Sequence, residues 1–115
     1  MNYIDSLIAA VPNDNKDAYI AHAKIASEVF IEHGALNIVD CWGDDIPPGE
    51  KTSFPKAVMC KEDETVVLSW IVWPSKEARN LGMQKAMEDA RMQSEVMPFD
   101  GSRMIIGSFQ TILEN

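Results

Sequence analysis

Apolar residues in this chain recur in two rhythms, dense strand-like runs and helical stripes, and their order predicts a fold. From Tyr3 to Val11 nearly every position is apolar, which reads as a strand, and Pro12-Asn13-Asp14-Asn15 supplies the turn that closes it. A helix follows: Asp14 is its expected cap, Asp17 sits near its first N–H groups, and Gly34 ends it. Tyr19, Ala23, Ala26 and Phe30 form its apolar stripe, with Lys24, Glu28 and Glu32 on the opposite face. A second strand runs from Leu36 to about Trp42, and Asp44 to Pro55, with Pro47-Pro48-Gly49, is a loop. Lys56 to Cys60 reads as a short strand, either in a hairpin with the next one or as a ragged extension of the loop. Thr65 to Trp73, rich in Val, Ile, Leu and Trp, is the strongest strand signal and is expected at the centre of the sheet. Ser75 then caps a helix over Lys76 to Ala90, whose narrow apolar face is Met83, Ala86, Met87 and Ala90. Met97 to Gly101 is an irregular turn, and Ser102 to Leu113 supplies the last strand.

The order strand, helix, strands, helix, strand predicts a ferredoxin-like α+β domain, one antiparallel sheet with both helices on one face. At 115 residues the chain, 1–115, is expected to form one such domain. Both alternating sets of the first strand are mostly apolar: Tyr3, Leu7, Ala9 and Val11 on one face, Ile4, Ile8 and Ala10 on the other. The Thr65 to Trp73 strand repeats this. A sheet with one wet face alternates cleanly, and two helices cover only one face. The expected second cover is the sheet of another copy, which makes a homodimer in which two sheets stack about a two-fold axis.

Charge narrows the partners. Ten Lys plus Arg against eighteen Asp plus Glu leave a net charge of −8, with no basic cluster, so phosphate backbones and anionic lipid surfaces are repelled. No run approaches the ~20 apolar residues that span a bilayer, and the first residues show no leader pattern, so the cytoplasm is the expected compartment. Cys41 and Cys60 are read as buried thiols, and no cofactor or metal set is implied.

Several segments together carry a family resemblance: Val11-Pro12, Gly34-Ala35-Leu36, Asp40-Cys41-Trp42, Val66-Val67-Leu68-Ser69-Trp70, Pro74-Ser75-Lys76, Arg91-Met92 and Met97-Pro98-Phe99-Asp100-Gly101-Ser102-Arg103-Met104-Ile105. Over nearly its whole length the chain resembles the YbaA-like bacterial proteins, a domain of unknown function in the dimeric α+β barrel superfamily. Two departures from that pattern are Asp89-Ala90-Arg91-Met92, where Asp-Pro-Arg-Met is usual, and Trp73, where Tyr is usual. Without the proline, the second helix is expected to run on by a turn. The resemblance implies the dimeric barrel but no reaction, since related barrels include cofactor-independent monooxygenases, haem-degrading enzymes, dismutase-like enzymes and ligand-binding regulators. Some relatives bear a name alluding to signal recognition particle RNA, a distant alternative for a chain without a basic face.

Candidate chemistry lies in polar side chains on strands that otherwise read as buried: Asp5, Asp40, Ser69 and Ser108. A buried carboxylate needs a partner, a shifted pKa or a wet cavity. Asp40 and Asp5 are therefore the candidate catalytic proton acceptors, with Trp42, Trp70 and Phe99 as apolar walls for a small organic ligand and Arg103 as an orienting cation. His22, at the edge of the helix stripe, is a further ligand-contacting candidate, whereas His33 suits the helix C-terminus. The turn Met97 to Gly101 reads either as a functional loop or as plain turn chemistry, with an Asx-turn at Asp100 and positive φ at Gly101. Two functions remain: a cofactor-independent, monooxygenase-like binder of a small molecule, or a non-catalytic structural or stress-related interaction dimer with a filled interior.

Overall fold

The computed structural model describes residues 1–115. In chain order its elements are β1 (Tyr3–Pro12), α1 (Lys16–Glu32), β2 (Asn37–Trp42), α2 (Phe54–Ala57), β3 (Glu64–Trp73), α3 (Lys76–Glu88), α4 (Ala90–Gln93) and β4 (Ile105–Gln110). The four strands pair antiparallel in the order β2-β3-β1-β4. This is the ferredoxin-like arrangement predicted from the order of the elements, and β3 is central as expected. The sheet is open. β2 and β4 are its two edges, so the chain by itself closes no barrel, and a barrel needs a second copy.

Register decides which side chains meet the helices. Tyr3 pairs with Trp73 and Asp5 with Ile71 across β1 and β3, so Tyr3, Asp5, Leu7, Ala9 and Val11 share the helix-facing side with Val67, Ser69, Ile71 and Trp73. At one end of that side Ala26, Val29 and Phe30 of α1 and Ala86 of α3 pack on Ile71 and Trp73. Trp73 is fully buried, and Phe30 meets it edge-on with ring centroids 6.2 Å apart. Burial of rings this size stabilises the fold by roughly 2–3 kcal/mol each. Gly82 makes the approach of α3 possible, because a Cβ there would overlap the His33 carbonyl oxygen and the Trp73 ring. At the other end Ala9, Val11, Tyr19 and Val67 form a second cluster, flanked by Leu7, Trp42 and Phe99.

The opposite face carries Ile4, Ile8, Leu68, Trp70, Val72 and Phe109. Only one end of it is covered, where Val58 and Ile46 pack on Ala10 and Val66. Elsewhere it is open, and Phe109 is 57% exposed.

Four local expectations need correction. Lys56 to Cys60 is not a strand: Ser53 caps a helical turn by accepting a hydrogen bond from the Lys56 N–H, and Pro55 suits its first turn. Asp14 does not cap α1, because Asn13–Asn15 form a 3-10 turn and Asn15 takes the cap position without a side-chain bond. The second helix does not run on through Asp89, although proline is absent. Asp89 is extended (φ −66°, ψ 131°) and its carboxylate accepts from the Arg91 N–H, so it caps α4 and holds the break. Gly101 is not among the residues of positive φ, whereas Gly34 (φ 110°) ends α1 in the left-handed form its position predicted. Cys41 and Cys60 are free thiols and half-buried.

Candidate functional site

Between the two core clusters the sheet and helices do not close up, and a cavity of about 600 Å³ remains. That lies within the range that holds small organic ligands, ~300–1,000 Å³. Its floor comes from the helix-facing residues Asp5, Leu7 and Ser69. Tyr19, His22 and Ala23 of α1 form one wall, Arg79, Met83 and Met87 of α3 the other, and Met92, Glu95, Met97 and Phe99 close it from the chain after α3. The thioethers are flexible and polarizable, which lets one pocket fit apolar bodies of several shapes.

Polar groups converge on this space in three sets. Asp5 pairs with Arg79, whose Nε and Nη2 both donate to it at 3.0–3.2 Å, and it also accepts from Trp73 Nε1 at 3.0 Å and from Ser108 Oγ. The register that sets Asp5 opposite Ser108 on β4 makes this contact possible. The Asp5 hydrogen bond holds the Arg79 pKa above its usual value. With its oxygens so committed, Asp5 anchors Arg79 and Trp73.

The second set is Tyr19 and Asp40. The Tyr19 hydroxyl donates to Asp40 Oδ1 at 2.8 Å. Burial, and then the Asp40 carboxylate, push the phenol pKa far above its usual value, so Tyr19 stays a donor at neutral pH. Asp40 Oδ2 has no protein donor, and Asp40 is exposed at the cavity rim, which leaves this oxygen free to accept a hydrogen bond. The third set is His22 and Glu95. His22 Nδ1 and Glu95 Oε1 lie 4.0 Å apart, the outer limit of an ion pair and too far for a hydrogen bond, and neither buried atom has a partner.

The cavity thus gathers Asp5, Asp40, His22 and Phe99 from the residues singled out in the sequence. Trp42 packs behind it, its ring 6.4 Å from that of Tyr19 and under the Lys16 ammonium. Trp70 borders it from β3, but alternation sends its indole to the opposite face of the sheet. Arg103 is elsewhere. It donates to both oxygens of Glu64 at 2.7 Å, to Asp100 at 3.0 Å and to the Met59 carbonyl at 2.9 Å, stapling the start of β3 to the loop before β4. Met59 holds positive φ (52°) there. The Asx-turn expected at Asp100 is present, its carboxylate accepting from the Ser102 N–H. The cavity's cation is instead Arg79, and Glu95 is its third carboxylate. Neither gave a signal in sequence beyond an ordinary charged helix or loop residue, since their partners Asp5 and His22 are over seventy residues away.

No group of three or more His, Cys, Asp or Glu side chains is arranged to hold a metal ion, and no helix is long and apolar enough to cross a membrane. Residues 2–101 match a family described as protein of unknown function (DUF1428). The chain is 51% identical over 116 aligned residues to the uncharacterized protein YbaA of Escherichia coli strain K12, covering 99% of each chain, and equally so to that of Shigella flexneri.

Proposed function

Since the chain belongs to the DUF1428 family, whose function is unknown, its role must be read from its own cavity, and we propose that it binds a small organic molecule there. The observation that carries this reading is a ~600 Å³ space, walled by methionine and phenylalanine and bordered by carboxylate, phenol and imidazole groups, inside a chain too small to leave such volume idle. Only 17 of 115 residues are buried, so the packed core is small beside this space. Asp40, hydrogen-bonded to Tyr19 and with one oxygen free, is the proton acceptor available to a bound ligand. Proton abstraction from an activated C–H or O–H group, the opening step of monooxygenase-like chemistry, is the reaction class this favours.

The working form we propose is a cytoplasmic homodimer. Apart from Glu64 at the start of β3, the uncovered sheet face bears no charged side chain, so two copies of a chain of net charge −8 can meet there without repulsion. Four strands spaced ~4.8 Å apart and rising ~3.4 Å per residue offer a face of roughly 19 by 25 Å. That is ~475 Å² in projection, which side-chain corrugation raises towards the low end of stable interfaces, short of the standard ~800 Å² per partner.

Native mass spectrometry tests both parts. Gentle ionisation is expected to give a dimer carrying a defined small mass that denaturation releases, and Ala23→Phe, which fills the cavity from α1, is expected to lose that mass. Trp70→Glu is expected to give monomers. A wild-type protein that carries no added mass and takes up no Nile red, a neutral apolar dye, would overturn the cavity reading. A wild-type monomer would overturn the dimer.

A further inference from the structure

The charge inventory of the cavity narrows the ligand. Three carboxylates line it, Asp5, Asp40 and Glu95, against one guanidinium, Arg79. Arg79 is already committed to Asp5, to Ser108 Oγ at 2.6 Å and to Asn80 at 2.9 Å. The lining therefore holds two carboxylates, Asp40 and Glu95, that its one guanidinium does not pair with. An anionic head group would meet both of them and no free Lys or Arg, which is costly in a partly dry space.

The unpartnered atoms point the same way. His22 Nδ1 and Glu95 Oε1 are buried, face each other across 4.0 Å, and neither has a hydrogen-bond partner. A buried carboxylate oxygen without a hydrogen bond is expensive, and the cheapest remedy is a donor placed beside it. A group with N–H donors and a positive charge, seated against the gap, supplies the donor that Glu95 Oε1 lacks and offsets the unpaired carboxylates as well, which a neutral hydroxyl does not. Around it Met92, Met97 and Phe99 supply an apolar, polarizable wall suited to an organic cation.

Resting on the cavity reading above, we infer that the ligand is an amine on an apolar body, its ammonium held between Glu95 and His22 and its hydrocarbon part against the methionines and Phe99. Carboxylates and phosphates of the same size are excluded.

Three probes on one skeleton test this: phenethylamine, phenethyl alcohol and hydrocinnamate, titrated by calorimetry into the intact wild-type protein at neutral pH. Phenethylamine is expected to bind tightest, the alcohol about tenfold or more weaker, since a charge-assisted bond is worth ~1.5–3 kcal/mol, and hydrocinnamate not at all. Glu95→Gln, nearly isosteric and checked for folding by circular dichroism, is expected to lose that tenfold for the amine and leave the alcohol unchanged. If hydrocinnamate binds as well as the amine, or Glu95→Gln weakens amine and alcohol alike, the amine assignment fails while the cavity reading stands. If none of the three binds, the amine assignment fails, and the cavity reading fails with it only if the wild type also carries no added mass and takes up no Nile red.

Discussion

Replacing Asp5 by Asn tests whether the ion pair beneath the cavity holds sheet and helix together. The substitution keeps the shape and one acceptor oxygen but removes the charge that Arg79, Trp73 Nε1 and Ser108 all address. Severing a fully buried pair costs ~3–5 kcal/mol, and losing hydrogen bonds to a charged group ~1.5–3 kcal/mol. Here the Asp5 side chain is 13% exposed and that of Arg79 26%, so water relieves part of the loss and the lower range applies. The expected destabilisation is about 2 kcal/mol, which at ~2.1 cal/mol/K of unfolding entropy per residue lowers Tm by ~8 °C for a chain of this length. Urea unfolding of wild type, Asp5→Asn, Arg79→Met and the double variant completes the cycle. The double variant should cost clearly less than the sum of the singles, with a coupling of at least ~1 kcal/mol. An Asp5→Asn loss under ~0.5 kcal/mol, or strict additivity, would refute the view that this pair organises the cavity floor.

Gly82→Ala is expected to destabilise by about 2 kcal/mol despite alanine's ~1 kcal/mol advantage in helices, because the new methyl overlaps the His33 carbonyl oxygen and the Trp73 ring; an unchanged urea midpoint contradicts this. In acid, Glu64 provides a distinct signature. Hydrogen bonds from Arg103 hold its folded pKa at about 2, below the ordinary value of 4.5. Its contribution is therefore fully present above about 4.5 and is lost as pH falls towards 2. Glu64→Gln should flatten the wild-type stability profile in that window, with the remaining slope coming partly from Asp100, also held at about 2. Parallel profiles for the two proteins would show that the pair carries no such linkage.

The strands, both long helices and the doubly apolar sheet were written in the local pattern. Alternation of apolar residues in β1 and β3 and the stripe through Tyr19, Ala26 and Phe30 are short-range consequences of backbone period, so they can be read one segment at a time. Polar residues embedded in those runs, Asp5 and Asp40, marked the region of the cavity for the same reason. What sequence distance hid was decided by packing. The break at Asp89 survives without proline because Arg91, Glu32 and His33 converge on one end of α1. Lys56 to Cys60 is not a strand because the Ser53 cap starts a helical turn over Phe54–Ala57, which overrides the apolar run that follows Lys56. Above all, Arg103 and Arg79 are indistinguishable as isolated basic residues, and only the strand register, which sets Asp5 against Ser108 under α3 and Glu64 beside the loop before β4, sends one to the cavity and clamps the other outside it. Backbone period is local and legible residue by residue, whereas the choice of ionic partner depends on which distant segments the folded sheet brings within a few ångströms.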